Sequence, residues 1–197
     1  MHSQGLKPTK VINSGATLSN TGKLGKSYSL TTGNYIGLDA ANKNNHKYSP
    51  ISLAMWICVT QAVNSTQPLL CCWEDGGAGL LVSSDQKLGF TIYKSGYKYC
   101  YSETINLNQW YHVCGTYDNT TMKLYINGQL IATTTVGGAI TYHSTCPWEI
   151  GGNPGKTSFA AGNVIGKISD VRIYNHALSA KEVEEIAKGL VLHYKLN

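Results

Sequence analysis

The chain has 197 residues and a formal net charge of +5, with 42% hydrophobic and 14% charged residues. This hydrophobic content excludes an intrinsically disordered chain, because enough apolar area can be buried to offset the entropy lost on ordering. The positive charge does not indicate nucleic-acid binding, because the lysines are scattered and Arg172 is the only arginine, whereas phosphate-binding proteins cluster their cations and favour arginine.

The first 22 residues are polar and rich in Gly, Asn, Ser and Thr, and we expect them to join the edge of the domain that follows. The first ten contain no apolar core of a signal peptide. No stretch of the chain approaches the ~20 apolar residues of a membrane span, so no membrane insertion is expected. From Lys23 onward, residues 25–39 predict two short strands around Thr32-Gly33-Asn34, and residues 40–50 predict a polar surface loop.

Residues 51–60, ISLAMWICVT, form a continuous apolar run that is typical of a central strand buried on both faces. Further short strands are predicted at roughly ten-residue spacing in PLLCCWE, GLLVSS, KLGFTIY and GYKYCYSETI, with Gly, Ser-Asp or Ser-Gly between them. Regular short strands separated by turn signals predict a β-sandwich or a β-barrel.

Residues 109–135 alternate apolar and polar side chains and predict a three-stranded antiparallel meander. Its second turn, Asn127-Gly128, suits a type I′ hairpin because both positions of that turn need positive φ. A helix is predicted only near the end, where Ser179 and Glu182 form a capping box and Gly189 ends the helix. The closing residues 190–197 alternate again like a strand.

Six cysteines are present, but their spacing matches no Cys-x2-Cys metal pattern. Cys58, Cys100 and Cys114 lie inside strand-like runs, where a free cysteine acts as a small buried hydrophobic residue. We therefore expect reduced core thiols rather than disulfides.

Several segments together resemble the concanavalin A-like, laminin G-like jelly-roll domains of bacteriophage and bacterial surface proteins. GKLGKSYSLTTGNYIGL is similar to the family's opening, and SLAMWICV to its first long strand. The family's Trp-x-His-Val hairpin is similar to the segment WYHVCGTYDNTTMKLYINGQLIAT. Its closing signature is similar to the segment GKISDVRIYNHALSAKEVEEI. The resemblance implies an all-β, antiparallel two-sheet jelly-roll sandwich over residues 23–188 with a short C-terminal helix. Residues 189–197 resemble either a C-terminal strand or the start of a following module.

The resemblance implies a non-catalytic binding or structural module of a phage or bacterial surface protein, located on a virion or a bacterial cell surface. The expected partner is a cell-surface glycan or a neighbouring structural subunit, with homo-oligomers formed through the parent protein. One alternative is an architectural spacer or decoration domain that mediates protein-protein contacts. The other is a glycoside hydrolase, but none of the eleven acidic residues alternates along a strand as a catalytic carboxylate pair would. We therefore expect no enzyme activity.

Carbohydrate binding needs exposed aromatic faces together with amides and acids for the sugar hydroxyls. The candidates are three tyrosines that alternate on one strand, two tryptophans beside Gly-rich loops, and two polar partners: Tyr97, Tyr99, Tyr101, Trp73, Trp148, Asp75 and Asn153. The alternative reading of the tyrosine stripe is the half-buried outer face, or the core, of the sandwich.

The histidines show no metal-ligand spacing, and His112 is expected to be a hydrogen-bonded core residue rather than a general base. The resemblance does imply a structural calcium ion at the sandwich edge. Asp170 is its first candidate ligand, with Asn13 or Asp39 as helpers. The alternative for Asp170 is a salt bridge or a turn cap. The segment INSG at residues 12–15, where the family often has an acidic Asp-Ser-Ser-Gly, weakens the metal prediction.

Overall fold

The computed structural model describes residues 11–38, 46–62, 64–73, 76–144, 146–153 and 162–189. Two seven-stranded antiparallel sheets pack face to face, and one short helix follows the last strand. The predicted two-sheet antiparallel sandwich with a C-terminal helix is therefore confirmed. Within the described residues, no helix has the length and apolar character needed to cross a membrane.

The strands β1 to β7 span Val11–Ser14, Thr17–Gly22, Gly25–Leu30, Tyr35–Leu38, Ile51–Val59, Gln67–Cys72 and Ala78–Val82. The strands β8 to β14 span Lys87–Tyr93, Tyr97–Thr104, Trp110–Tyr117, Thr121–Ile126, Gln129–Thr135, Trp148–Ile150 and Gly166–Tyr174. The helix α1 spans Ala180–Ala187.

Sheet A has the strand order β1-β4-β13-β6-β7-β8-β9, and sheet B has the order β12-β11-β10-β5-β14-β3-β2. Residues 11–22 supply β1 and β2, which are edge strands of the two different sheets. Residues 1–10 and 190–197 lie outside the described residues, and so does the predicted closing strand or following module.

The main core lies between the two sheets. Every second residue of β5, from Ile51 to Val59, points into it, and the aromatic ring of Phe90 on sheet A lies against Gly115 on sheet B. The intervening residues of β5 face outward but are also buried, because α1 covers part of that face by placing Val183 and Ile186 in one apolar cluster with Ala54. The prediction of a central strand buried on both faces is confirmed.

The local predictions for the meander and the helix also hold. The strands β10, β11 and β12 pair in sequence, and Asn127 and Gly128 have φ values of 52° and 82°, as a type I′ turn requires. Ser179 caps α1 and forms the capping box with Glu182, while Gly189 follows the helix with a φ of 74°. All six cysteines are buried and unbridged.

His112 lies on the outer face of sheet B, with its ring 5.4 Å from that of Trp56. It is only 1% exposed, in agreement with the prediction of a buried histidine. Its Nδ1 has no hydrogen-bond partner among the described residues, so the predicted side-chain hydrogen bond is not formed at that atom. Burial lowers the pKa of His112 to about 4, although the nearby Asp170 opposes this shift.

This histidine should make stability depend on acid pH. An unfolded chain protonates His112 below its ordinary pKa of 6.5, whereas the folded chain keeps it neutral down to about 4. The stabilisation is therefore complete above pH 6.5 and is lost as the pH falls toward 4. Between about pH 7.5 and pH 5, we expect the free energy of unfolding to fall by roughly 2 kcal/mol more in the wild type than in His112→Gln. Urea denaturation at both pH values measures this, and parallel losses in the two proteins would contradict it.

Candidate functional site

Tyr97, Tyr99 and Tyr101 lie on one face of β9, the strand at one edge of sheet A. Cys100 points the opposite way, into the core between the sheets. The three tyrosines therefore project from the outer face of sheet A, and we call them the tyrosine surface. The reading of the stripe as part of the inter-sheet core is excluded.

The rings of the tyrosine surface contact one another. The centroids of Tyr97 and Tyr99 are 6.3 Å apart with their planes tilted by 32°. Those of Tyr99 and Tyr101 are 5.6 Å apart, and their planes are within 10° of parallel. Tyr97 and Tyr99 are half-buried, while Tyr101 is 39% exposed. The result is a continuous aromatic strip that reaches solvent most fully at Tyr101.

Two strand glycines allow aromatic rings to lie close to the sheet. A Cβ atom on Gly89 would lie 2.7 Å from Cε1 of Tyr101, and one on Gly79 would lie 2.5 Å from Nε1 of Trp73. A glycine inside a strand often marks such a close approach. Trp73 is buried beside the strip, in a cluster with Cys71 and Leu81 against which Tyr97 and Tyr99 pack. Our sequence analysis missed both glycines, although GLLVSS and KLGFTIY each carry one inside a strand.

The hydroxyl groups of Tyr99 and Tyr101 stay protonated at physiological pH. Burial is the main cause that raises the pKa of Tyr99 to about 12, with smaller contributions from Tyr101 and Tyr97. Burial also raises the pKa of Tyr101. The Oη atom of Tyr97 donates to the carbonyl oxygen of Gly76 at 3.4 Å. The strip thus combines apolar ring surface with neutral hydroxyls that both donate and accept hydrogen bonds.

The other predicted carbohydrate contacts do not join this strip. Trp148 is 2% exposed and packs in the core between the sheets, where its Nε1 donates to the carbonyl oxygen of His46 at 3.1 Å. This burial argues against a contact with a surface ligand. Trp148 lies on β13, and the buried Asn153 follows that strand. In sheet A, β13 is four strand spacings, or about 19 Å, from β9. Asp75 lies outside the described residues.

The two acids on the described strands of sheet A, Glu149 and Glu103, do not form a hydrolytic pair. Glu149 on β13 pairs with Cys71 and so faces outward, and Glu103 lies on β9 at a β-bulge opposite β8. The two strands are about 19 Å apart, whereas glycosidases need carboxylates roughly 5–10 Å apart. Glu74 and Asp75 lie outside the described residues.

Asp170 and Asn13 line the same cavity at the sandwich edge, but their side chains fit a calcium ion poorly. Oδ1 of Asp170 accepts from Nε of Arg172 at 2.8 Å, and this guanidinium would repel a cation. The amide of Asn13 bonds both the N–H and the carbonyl oxygen of Ala16. Asp39 lies outside the described residues, among which no group of three His, Cys, Asp or Glu side chains is placed to hold a metal. Calcium remains a prediction, which thermal melts with and without chelator would test.

Residues 30–184 match the family model described as the concanavalin A-like lectin/glucanases superfamily. No curated protein matches the sequence. Among solved structures, domain 4 of an extracellular arabinanase from Geobacillus stearothermophilus, determined in complex with arabinotriose, is 19% identical with a TM-score of 0.71, and the match covers 90% of this chain and 87% of that one.

Two further solved structures share the fold. The receptor binding domain of a botulinum neurotoxin C/D mosaic serotype is 16% identical with a TM-score of 0.70, and the match covers 93% of this chain but 47% of the toxin domain. A mutant Trypanosoma rangeli sialidase is 19% identical with a TM-score of 0.61, over 87% of this chain and 29% of that one. The chain thus spans about half of the toxin domain and less than a third of the sialidase. At these identities the likeness shows the fold.

Proposed function

The chain belongs to the concanavalin A-like lectin/glucanase superfamily, and from this premise we propose that it is a non-catalytic carbohydrate-binding module. The tyrosine surface is the observation that carries the proposal. It offers ring surface for the C–H faces of sugars and neutral hydroxyls for their O–H groups. Two structural neighbours, one solved with arabinotriose and one a receptor binding domain, support a binding role on this fold.

The geometry of the strip favours an oligosaccharide over a single sugar. Tyr97 and Tyr101 are separated by four residue steps along β9, which is about 13 Å. Alternating rings along a strand can contact successive sugar units of one chain. We therefore propose a linear oligosaccharide that lies along β9.

The charges beside the strip favour a neutral sugar chain. Asp85, whose carboxylate contributes to the raised pKa of Tyr101, forms an ion pair with Lys87 at 2.9 Å. Because their opposite charges cancel, Asp85 and Lys87 together add no net charge beside that end of the strip. A glycan rich in carboxylate or sulfate groups would find no matching cationic cluster on the strip itself.

We further propose that the module belongs to a phage or bacterial surface protein and contacts glycans on a cell. The support is the resemblance of the hairpin and of the closing segment to modules of such proteins. Neighbouring subunits of the same particle are the alternative partner, and homo-oligomers would then form through the parent protein.

A glycan array with the purified chain tests the binding role, first with calcium and then with chelator. We expect binding to a small set of neutral oligosaccharides without cleavage, which mass spectrometry of the incubated ligand verifies. A blank array with correctly folded protein would refute carbohydrate binding and favour the protein-contact role. Release of shortened sugars would refute the non-catalytic part of the proposal.

A further inference from the structure

Two cysteine side chains meet in the core between the sheets. Cys72 is the last residue of β6, and Cys146 lies two positions before β13, the strand that pairs antiparallel with β6. The thiol of Cys72 donates to the carbonyl oxygen of Cys146 at 3.2 Å, and it also shares a hydrogen bond with the thiol of Cys146. Both residues belong to the main core. The two sulfur atoms are therefore neighbours in a dry environment.

The other four cysteines, all of them among the described residues, lie away from this pair. Cys71 follows the same strand but packs on the opposite face of sheet A. Cys100 is on β9, which is three strand spacings, or about 14 Å, from β6. Cys58 and Cys114 lie on the outer face of sheet B. Among the described residues, no group of three His, Cys, Asp or Glu side chains is placed to hold a metal, so the pair does not fit a zinc site.

The pair lies at the end of a short strand ladder. The strand β13 has three residues and shares two register pairs with β6. Just before it, Nζ of Lys47 donates to the carbonyl oxygen of His143 at 2.7 Å, which holds the incoming segment through a single long side chain. A covalent bond between Cys72 and Cys146 would add a firm link at the point where the backbone pairing ends.

We propose that Cys72 and Cys146 form a disulfide when the chain folds in an oxidising medium, such as the surroundings of a cell-surface module. With glutathione disulfide as the oxidant, one protein thiolate attacks a glutathione sulfur and releases one glutathione. The second protein thiolate then attacks the protein sulfur of this mixed disulfide and releases the other glutathione. The two cysteines lose two electrons and two protons, and the oxidant becomes two glutathione thiols. The prediction of reduced core thiols then applies to a reducing medium.

The bond should form during folding rather than in the folded protein. The hydrogen bond with Cys146 and burial both raise the pKa of the Cys72 thiol. Because the thiolate is the attacking species, the folded chain has almost none of the reactive form. The two residues are also 0% and 2% exposed, which keeps glutathione from reaching them. Oxidant added to the folded, reduced protein should therefore react slowly, while refolding in its presence should give the bond.

Refolding the full chain in a mixture of reduced and oxidised glutathione tests this proposal. Iodoacetamide, added afterwards under denaturing conditions, should label two fewer cysteines than the six that it labels in the reduced chain. Peptide mapping by mass spectrometry should place the link between Cys72 and Cys146. The oxidised protein should melt about 5–10 °C above the reduced protein, because the bond restricts the unfolded chain.

Cys71→Ala is the matched control, because Cys71 is adjacent in the chain and equally buried but faces away from Cys146. It should keep the bond, whereas Cys72→Ala and Cys146→Ala should lose both the bond and the redox-dependent rise in melting temperature. Labelling of all six cysteines in wild-type protein that has refolded correctly, as judged by circular dichroism, would overturn the proposal. So would a disulfide that persists in Cys72→Ala, or an oxidised wild type that melts no higher than the reduced one.

Discussion

Replacing Phe90 with alanine should lower the free energy of unfolding by about 3–5 kcal/mol, the range for a fully buried phenylalanine. Phe90 has no solvent exposure and joins the two sheets, because it projects from β8 of sheet A onto Gly115 in β10 of sheet B. Since small domains are stable by only about 5–15 kcal/mol, this one truncation removes a large part of the total. Urea denaturation followed by tryptophan fluorescence measures the loss.

The partner of this ring supplies the matched experiment. A Cβ atom on Gly115 would overlap the ring of Phe90, so Gly115→Ala should cost about 1–3 kcal/mol through overpacking. Phe90→Leu combined with Gly115→Ala should cost less than the sum of the two single changes, because the smaller side chain makes room. Gly37→Ala is the control, since its nearest neighbours are at an ordinary 3.7 Å. Equal effects of Gly115→Ala and Gly37→Ala would show that the ring does not lie on Gly115.

Local pattern predicts the strands well because each one carries its own periodicity. The run at residues 51–60 became β5 at Ile51–Val59, and Asn127-Gly128 formed the turn that its residue types favour. The assignment of strands to sheets is different, because it depends on contacts between distant segments. The strands β3 and β4 are neighbours in the chain across Thr32-Gly33-Asn34, yet they belong to different sheets. Nothing in the short turn alone specifies that crossing.

The aromatic residues of the candidate site also depend on contacts between distant segments, which the local sequence pattern does not specify. Alternation correctly placed Tyr97, Tyr99 and Tyr101 on one face of a strand. Gly-rich neighbours suggested an exposed Trp148, but its alternation with Ile150 is the stronger signal, and both residues point into the core. Which face of the tyrosine strand meets water depends on sheet B, since the packing of β11 and β12 against β9 covers the opposite face.

Replacing Tyr101 with alanine should weaken binding of the glycan identified on the array by about 30-fold or more, which corresponds to roughly 2 kcal/mol. Tyr101 presents the most exposed ring of the tyrosine surface, and its truncation removes both the stacking face and the hydroxyl. Tyr101→Phe keeps the ring, so it should recover most of the affinity if stacking dominates and little if the hydroxyl dominates. Tyr99→Ser combined with Tyr101→Ser should abolish detectable binding.

The control for Tyr101→Ala is Tyr28→Ala, because both tyrosines are 39% exposed while Tyr28 lies on β3 of sheet B, away from the strip. Titration calorimetry measures the affinities, and circular dichroism verifies that each variant is folded. Equal affinity of Tyr101→Ala and wild type would place the glycan site elsewhere on the molecule. Equal losses in Tyr101→Ala and Tyr28→Ala would indicate a general effect on the fold. Sugar binding along the outer face of sheet A is shown only if the affinity falls in the β9 variant Tyr101→Ala and is unchanged in Tyr28→Ala.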